Sequence, residues 1–226
     1  MLSFLRAPSK ERTKISHLST FEMESGRSSV SFKSAPNLQN SKTSISFTLP
    51  PCFPGPYPQD NSIMIPPLHI HPSQVETFLV TSGTALFQLN KTFIRKAPGE
   101  TIDIPRGEYH KFTNASSEES MTLEAWYDPA ELAREERFFR NLCGYLEDNR
   151  GGDGVGMLET VSIPQLALFA WEADMMMCEP VVILGLPHWL GGPISAALTW
   201  VLGVFVGKWL LGYQGNYDEY YHENAR

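Results

Sequence analysis

The feature that most constrains the fold is the run of short apolar segments between residues 43 and 127, each interrupted by proline, glycine or asparagine. The candidate strands are Ser44–Leu49, Ile63–Ile65, Leu68–His71, Val75–Thr81, Ala85–Leu89, Thr101–Ile104, His110–Thr113 and Met121–Trp126. Many short strands at close spacing, separated by turn residues, are typical of an antiparallel sandwich or barrel. The sequence therefore predicts a mainly β fold for this region.

The segments on either side differ from it in composition. Residues 1–40 are rich in serine, lysine and arginine and show no period of two or 3.6, so we expect a disordered tail. A cleaved transit peptide is the alternative, although several glutamates count against it. Residues 128–178 form a helical extension in this interpretation, because Asp128 and Pro129 suit a helix start and apolar residues then recur at helical spacing. A second helix is expected to begin near Ser162.

The carboxyl-terminal part contains a long apolar segment, residues 180–212, followed by a polar tail, residues 213–226. No Asp, Glu, Lys or Arg occurs from Pro180 to Gly207, and the apolar stretch approaches the ~20 residues that a membrane crossing needs. A buried helix packed on the barrel explains much of the same composition. The segment is therefore a candidate membrane helix, and both interpretations stay open.

Charge and cysteine content narrow the classes of partner and compartment. The formal net charge of −7 argues against nucleic acid as a partner, and against an anionic membrane bound through basic patches. The cysteines, Cys52, Cys143 and Cys178, form no CxxC pair, which supports neither a disulfide framework nor a cysteine zinc site. We therefore expect a cytoplasmic protein, with membrane association through the apolar segment as the alternative.

Two histidines at strand spacing are the first chemically informative residues. His69 and His71 are two residues apart, so on a strand their side chains leave the same face roughly 6.5 Å apart. Glu76 has the wrong parity for the same continuous strand, and the Pro72-Ser73 pair supplies the turn that must intervene. Glu76 is then expected on the inner face of the next strand.

A third imidazole comes from a separate hairpin. The Pro105–Gly107 segment predicts a tight turn, and the strand after it carries His110, Phe112 and Asn114 on one side. This side must face inward, because the opposite parity would bury the unpaired ammonium group of Lys111.

Three imidazoles and one carboxylate suit a divalent transition metal, and we leave iron, manganese, nickel, copper and zinc open. The predicted ligands are His69, His71, Glu76 and His110. If the ion is six-coordinate, positions remain for substrate or water, which favours a catalytic site over a closed structural one.

These residues resemble the two signature motifs of the cupin superfamily. The first motif, HxH, four residues, Glu, six residues and Gly, is matched by His69, His71, Glu76 and Gly83. The second, Gly, five residues, PxG, two residues, His, three residues and Asn, is matched by Gly99, Pro105, Gly107, His110 and Asn114. One position departs from the pattern: Ile63 stands where a glycine usually precedes the first histidine by six residues.

The resemblance implies a single cupin jelly-roll barrel with the metal inside, followed here by carboxyl-terminal helices, and a homodimer as the common assembly. The chain as a whole is similar to small fungal cupin oxidoreductases that accompany polyketide synthases in secondary-metabolite pathways, including salicylaldehyde-type ones. That similarity implies a small-molecule substrate.

The first functional hypothesis is a metal-dependent oxidoreductase acting on a small apolar metabolite. The candidate pocket residues are Phe78, Phe87, Phe112 and Trp126, and no catalytic acid or base can be assigned. A metal-dependent isomerase, cyclase or decarboxylase is the alternative, because the fold hosts all of these reactions. A non-catalytic, membrane-tethered binding module is the third hypothesis.

Overall fold

The computed structural model describes residues 2, 6, 11–32, 45–52, 62–150 and 161–223. The chain divides into two compact units. One unit is Ser19–Leu132, and the other combines Met1–Leu18 with Ala133–Arg226.

The unit Ser19–Leu132 is built from antiparallel strands. They are β1 Thr20–Met23, β2 Ser28–Phe32, β3 Ile45–Leu49, β4 His69–Ile70, β5 Val75–Ser82, β6 Ala85–Leu89, β7 Thr92–Lys96, β8 Thr101–Ile104, β9 His110–Asn114 and β10 Met121–Asp128. One sheet has the order β1-β2-β3-β10-β5-β8, and in the other β4, β9, β6 and β7 are neighbours in that order. The predicted mainly β architecture is confirmed.

Alternation along the strands decides which side chains enter the core. On β5, Glu76, Phe78 and Val80 are buried, whereas Thr77 is half-buried and Thr81 is exposed. A strand directs successive side chains to opposite faces, so this pattern places the glutamate and the apolar residues on one inner face. The inward parity predicted for Glu76 is confirmed.

Two details of the predicted strand set are wrong. Ile63–Ile65 forms a turn, closed by the Ile65 N–H donating to the Ser62 carbonyl oxygen at 3.2 Å. β7 was not predicted, because its residues are mostly exposed at the edge of the sheet and carry the charged Arg95 and Lys96. Edge strands face water on one side, so an apolar run is not required there.

The expected disordered tail over residues 1–40 is wrong for residues 20–32, which form β1 and β2. Phe21, Met23, Val30 and Phe32 alternate along these strands and are buried. β2 pairs with β3, so the compact β unit begins well before the expected residue 43. Residues 33–40 lie outside the described residues.

The second unit is mainly helical. Its elements are α1 Leu132–Asp148, α2 Ile163–Glu172, the short strand β11 Met176–Met177, α3 Glu179–Ile183 and α4 His188–Trp200, which continues as a π-helical segment, Val201–Leu211. The predicted helix start at Asp128 and Pro129 is wrong, because Asp128 is still part of β10 and pairs with Val75. The predicted start of the second helix beside Ser162 is confirmed.

The apolar segment forms one long helix, Trp189–Leu211. It has 23 residues, its mean hydropathy is 1.7, and it is therefore long and apolar enough to cross a membrane. Within its apolar 18-residue window, 22% is buried. One side packs on α2, where a Cβ at Gly203 would lie 2.6 Å from the Ala167 backbone and a Cβ at Gly207 would lie 2.8 Å from the Pro164 carbonyl oxygen. Close helix packing and high hydropathy are both present, and the membrane segment stays a prediction.

Candidate metal centre

The four predicted metal ligands lie together inside the β unit. β4 pairs with β9 so that His69 stands directly opposite His110, and their ring centroids are 4.2 Å apart. The potential ligand atoms of His69, His71, Glu76 and His110 all lie within 4.8 Å of one another, and all four residues are buried. The structure therefore brings together the whole donor set that the sequence pattern predicted.

Backbone carbonyl groups orient two of the imidazoles. His69 Nδ1 lies 2.8 Å from the Pro67 carbonyl oxygen, and His110 Nδ1 lies 2.9 Å from the Glu108 carbonyl oxygen. A carbonyl oxygen can only accept, so each Nδ1 carries the proton and donates it. In the neutral rings the lone pair is then on Nε2, which is the arrangement found in metal-binding histidines.

The electrostatics of the cluster keep His69 neutral. Burial lowers the pKa of His69 well below its ordinary value, and the neighbouring His110 and His71 lower it further. A neutral imidazole has a free lone pair and can coordinate a cation.

Glu76 is ionised in the same cluster. Burial by itself would raise the pKa of this carboxyl group, but the imidazoles of His110 and His71 beside it favour the ionised form and outweigh burial. The pKa of Glu76 therefore lies well below its ordinary value, and the residue contributes a negative charge.

The donor chemistry fits a bound cation. His110 Nε2 lies 2.9 Å from Glu76 Oε2, although His110 Nδ1 already donates to a carbonyl group. A lone pair facing a carboxylate at this distance requires a proton or a cation between them. Imidazole nitrogens and a carboxylate oxygen are ligands that suit divalent transition metals.

The glycine positions of the two motifs have specific backbone roles. Gly83 has a φ of +69°, and a Cβ there would lie 2.5 Å from the Ser120 carbonyl oxygen. Gly107 has a φ of +75°, and its N–H donates to the His71 carbonyl oxygen at 3.0 Å. The turn before β9 is thereby joined to the segment that carries the first two histidines.

The asparagine at the end of the second motif closes a loop. Asn114 Nδ2 donates to the carbonyl oxygens of Pro50 and Glu119, at 2.9 and 2.7 Å, and Asn114 Oδ1 accepts from the Ser116 N–H. It satisfies backbone groups that would otherwise be buried without partners, so its role is structural.

The position that departs from the motif, Ile63, lies in a turn held by a distant carboxylate. The Ile63 N–H donates to Glu24 Oε1 at 3.1 Å, and the hydroxyl groups of Ser62 and Ser28 both donate to Glu24 Oε2 at 2.6 Å. Among the described residues, Glu24 and Ser25 have positive φ values, 56° and 60°, and Ile63 does not. This turn therefore does not depend on glycine at position 63.

Three of the four candidate pocket residues lie on the inner face. Phe78, Phe87 and Phe112 form one aromatic cluster, with ring centroids 5.1 to 6.2 Å apart. Trp126 does not belong to it, because β10 places this residue opposite Thr77 on the outward face. Trp126 therefore does not share the inner face with the other three candidates, and Tyr127 is the inward residue at that end of β10.

Tyr127 is the site residue that the sequence reasoning missed. Its hydroxyl group donates to Glu76 Oε1 at 2.5 Å, and its ring lies 5.4 Å from that of His71. The alternation of Met121, Leu123 and Ala125 points to this parity, but the predicted strand ends at Trp126, one residue before Tyr127 and two before the end of β10.

The chain is similar in sequence to a known family and to several known proteins. The family described as "Cupin domain" matches residues 63–126. The probable oxidoreductase virH of Hypocrea virens is 32% identical over 167 residues, which cover 72% of this chain and 71% of that protein. The oxidoreductase iacF of Pestalotiopsis fici is 33% identical over 147 residues, covering 63% of this chain and 69% of that protein. Among solved structures, the cupin domain of Schizosaccharomyces pombe Cnp3 matches with a TM-score of 0.33 and 17% identity, over 43% of this chain and 63% of that one.

Proposed function

The chain belongs to the cupin superfamily, and from this premise we propose that it is a metal-dependent oxidoreductase acting on a small apolar metabolite. The observation that carries the proposal is the buried cluster of three histidines and one glutamate. The names of the fungal relatives support the redox class.

In this proposal His69, His71, Glu76 and His110 hold one divalent transition metal ion, and iron, manganese, nickel, copper and zinc all suit these ligands. When bound, such an ion supplies Lewis-acid activation of a substrate oxygen or, if it is iron, a binding position for dioxygen. The protein contributes the orientation of the rings through the carbonyl groups of Pro67 and Glu108.

The residues around the ligands support an apolar substrate. Phe78 follows Glu76 by two residues on β5, and Phe112 follows His110 by two residues on β9, so both share the inner face with the ligands. An aromatic surface next to a polar centre binds apolar molecules that carry one polar group. The sequence resemblance to fungal cupins of polyketide pathways supports a secondary metabolite of that class.

We propose in addition that Trp189–Leu211 associates with a membrane. Trp189, Phe205 and Trp209 are exposed by 73, 41 and 55%, and no charged residue occurs between Pro180 and Gly207. Exposed tryptophans at the ends of an apolar helix are typical of residues at a membrane interface.

The metal proposal is tested by measuring bound metal in the purified full-length protein after each of the five metals has been offered separately. We expect about one ion per chain in the wild type and loss of binding in His69→Ala and His110→Ala, because each variant removes one ligand. His17→Ala, at an exposed position outside the β unit, is the control and should bind as the wild type does. A wild type that binds none of the five metals, or ligand variants that bind normally, would refute the proposal.

The reaction class is tested by following dioxygen uptake, and the demand for an added redox co-substrate, with metal-loaded protein and small aromatic aldehydes or alcohols. We expect turnover to require either dioxygen or the added redox co-substrate. Turnover that yields an isomer, or that releases carbon dioxide without net oxidation, would replace the oxidoreductase assignment by an isomerase or decarboxylase. If Glu76→Gln supports the same biological function as the wild type, the chain is instead a non-catalytic binding module.

A further inference from the structure

We propose that Tyr127 is a positioning residue of the metal centre, which holds Glu76 so that a single carboxylate oxygen, Oε2, is presented to the ion. The inference rests on the proposed function, because it concerns the ligand set proposed to bind the metal. Tyr127 belongs to neither sequence motif.

Strand pairing brings Tyr127 and Glu76 together. In the register between β10 and β5, Tyr127 stands opposite Glu76, and both residues are 4% exposed. Directly opposed residues on one face of a sheet have their Cβ atoms about 5 Å apart, within reach of a tyrosine side chain. The contact therefore follows from the register of two long strands and does not depend on a loop.

The two oxygens of Glu76 have different partners. Oε1 accepts the Tyr127 hydroxyl hydrogen bond at 2.5 Å, whereas Oε2 lies 2.9 Å from His110 Nε2 and 3.5 Å from His71 Nε2. A carboxylate held at one oxygen by a buried donor cannot rotate without breaking that hydrogen bond. The oxygen on the histidine side is thus Oε2 in the resting orientation.

The tyrosine ring has a second contact that can be separated from the hydroxyl contact. The ring centroids of Tyr127 and His71 are 5.4 Å apart at an interplanar angle of 67°. Phenylalanine keeps this ring contact and removes only the hydroxyl group. Tyr127→Phe therefore isolates the effect of the hydrogen bond to Glu76.

The chain offers a matched control for this variant. Tyr220 is 1% exposed and donates its hydroxyl hydrogen bond to Asp148 Oδ2 at 2.6 Å, in the other compact unit. Tyr220→Phe removes the same kind of buried tyrosine-to-carboxylate hydrogen bond at a site with no proposed metal ligand. A general loss of stability would affect both variants, whereas a positioning role affects only Tyr127→Phe.

The experiment titrates metal-free, full-length protein with Co²⁺ in competition with a chelator, and records the ligand-field absorption of the bound ion. We expect Tyr127→Phe to bind Co²⁺ about 10- to 100-fold more weakly, with an altered absorption spectrum, as is usual when a hydrogen-bond partner of a metal ligand is removed. Tyr220→Phe should stay within about twofold of the wild type, because it leaves every ligand and its partners intact. Equal affinity and equal spectra for Tyr127→Phe and the wild type would overturn the proposal.

An infrared measurement on the wild type keeps the test independent of how the variant folds. In the metal-induced difference spectrum, coordination through one oxygen widens the separation between the two carboxylate stretching bands, and coordination through both oxygens narrows it. We expect the wider separation, and a narrowed separation would also overturn the proposal. A wild type that binds no Co²⁺ would contradict the proposed function itself, so the two failures are distinguishable.

Discussion

The replacement Gly83→Ala tests how strongly the turn after β5 depends on glycine. Gly83 has a φ of +69°, and a Cβ at this position would lie 2.5 Å from the Ser120 carbonyl oxygen and 2.8 Å from the Met121 Cα. Both atoms belong to the backbone at the start of β10, so they cannot move aside as a flexible side chain would. Alanine at this position therefore forces a shift between two paired strands.

Two separate costs add up in this variant. An L residue in the left-handed region costs about 1–2 kcal/mol. Steric overlap in a well-packed region costs about 1–3 kcal/mol more. We therefore expect Gly83→Ala to lower the free energy of unfolding of the β unit by about 2–5 kcal/mol, which is a large part of the stability of a typical domain.

Gly99→Ala is the matched control, because Gly99 has a φ of +87° but a Cβ there would have nothing within 4 Å. It should show only the conformational cost of about 1–2 kcal/mol. The difference between the two variants therefore measures the steric overlap alone.

Amide hydrogen exchange of peptides from β5 and β10 is the appropriate assay, because it reports the opening free energy of this unit without requiring the whole chain to unfold in one step. Exchange protection in Gly83→Ala should fall about 5- to 150-fold below that in Gly99→Ala, which corresponds to the steric difference of about 1–3 kcal/mol. Equal protection in the two variants would show that the close approach to β10 does not constrain position 83, and the packing argument would be refuted.

Three further perturbations follow from buried or exposed groups. In the metal-free protein, the pKa of His69 is lower in the folded state than in the unfolded chain, so the unfolded state binds more protons. The free energy of unfolding should therefore fall as the pH drops from about 6.5 toward the folded-state pKa, by up to about 1.4 kcal/mol per pH unit. Urea titrations of the wild type and His69→Gln at several pH values measure this, and the same dependence on pH in both proteins would contradict it. Glu24→Ala leaves the hydroxyl groups of Ser28 and Ser62 and the Ile63 N–H without this acceptor, so it should cost about 3 kcal/mol or more. Glu22→Ala, at an exposed position, should stay within about 0.5 kcal/mol, and similar unfolding midpoints for both variants would refute the role of Glu24. The full chain should float with phosphatidylcholine vesicles and lose this binding when Trp209 is replaced by Glu, and wild-type protein that stays in the aqueous fraction would contradict the membrane proposal.

The cluster of three histidines and one glutamate could be predicted from the sequence, because the placement of these residues depends on local rules. Side-chain parity puts His69 and His71 on one face, and the unpaired charge of Lys111 forces His110 inward. Turn residues such as Gly83 and Gly107 need φ values that can be anticipated from short motifs. The helix start beside Ser162 followed from equally local signals.

The distant segments that support this cluster could not be predicted in the same way, because their contacts form only in the folded chain. The turn around Ile63 is held by Glu24, which lies 39 residues away in a segment whose composition suggested disorder. Tyr127 meets Glu76 through the register of β10 against β5, and a shift of one residue would have placed Trp126 there instead. Such contacts depend on which strands pair and in which register, and pairing is decided by the burial of the whole sheet and not by the residues next to each position in the chain.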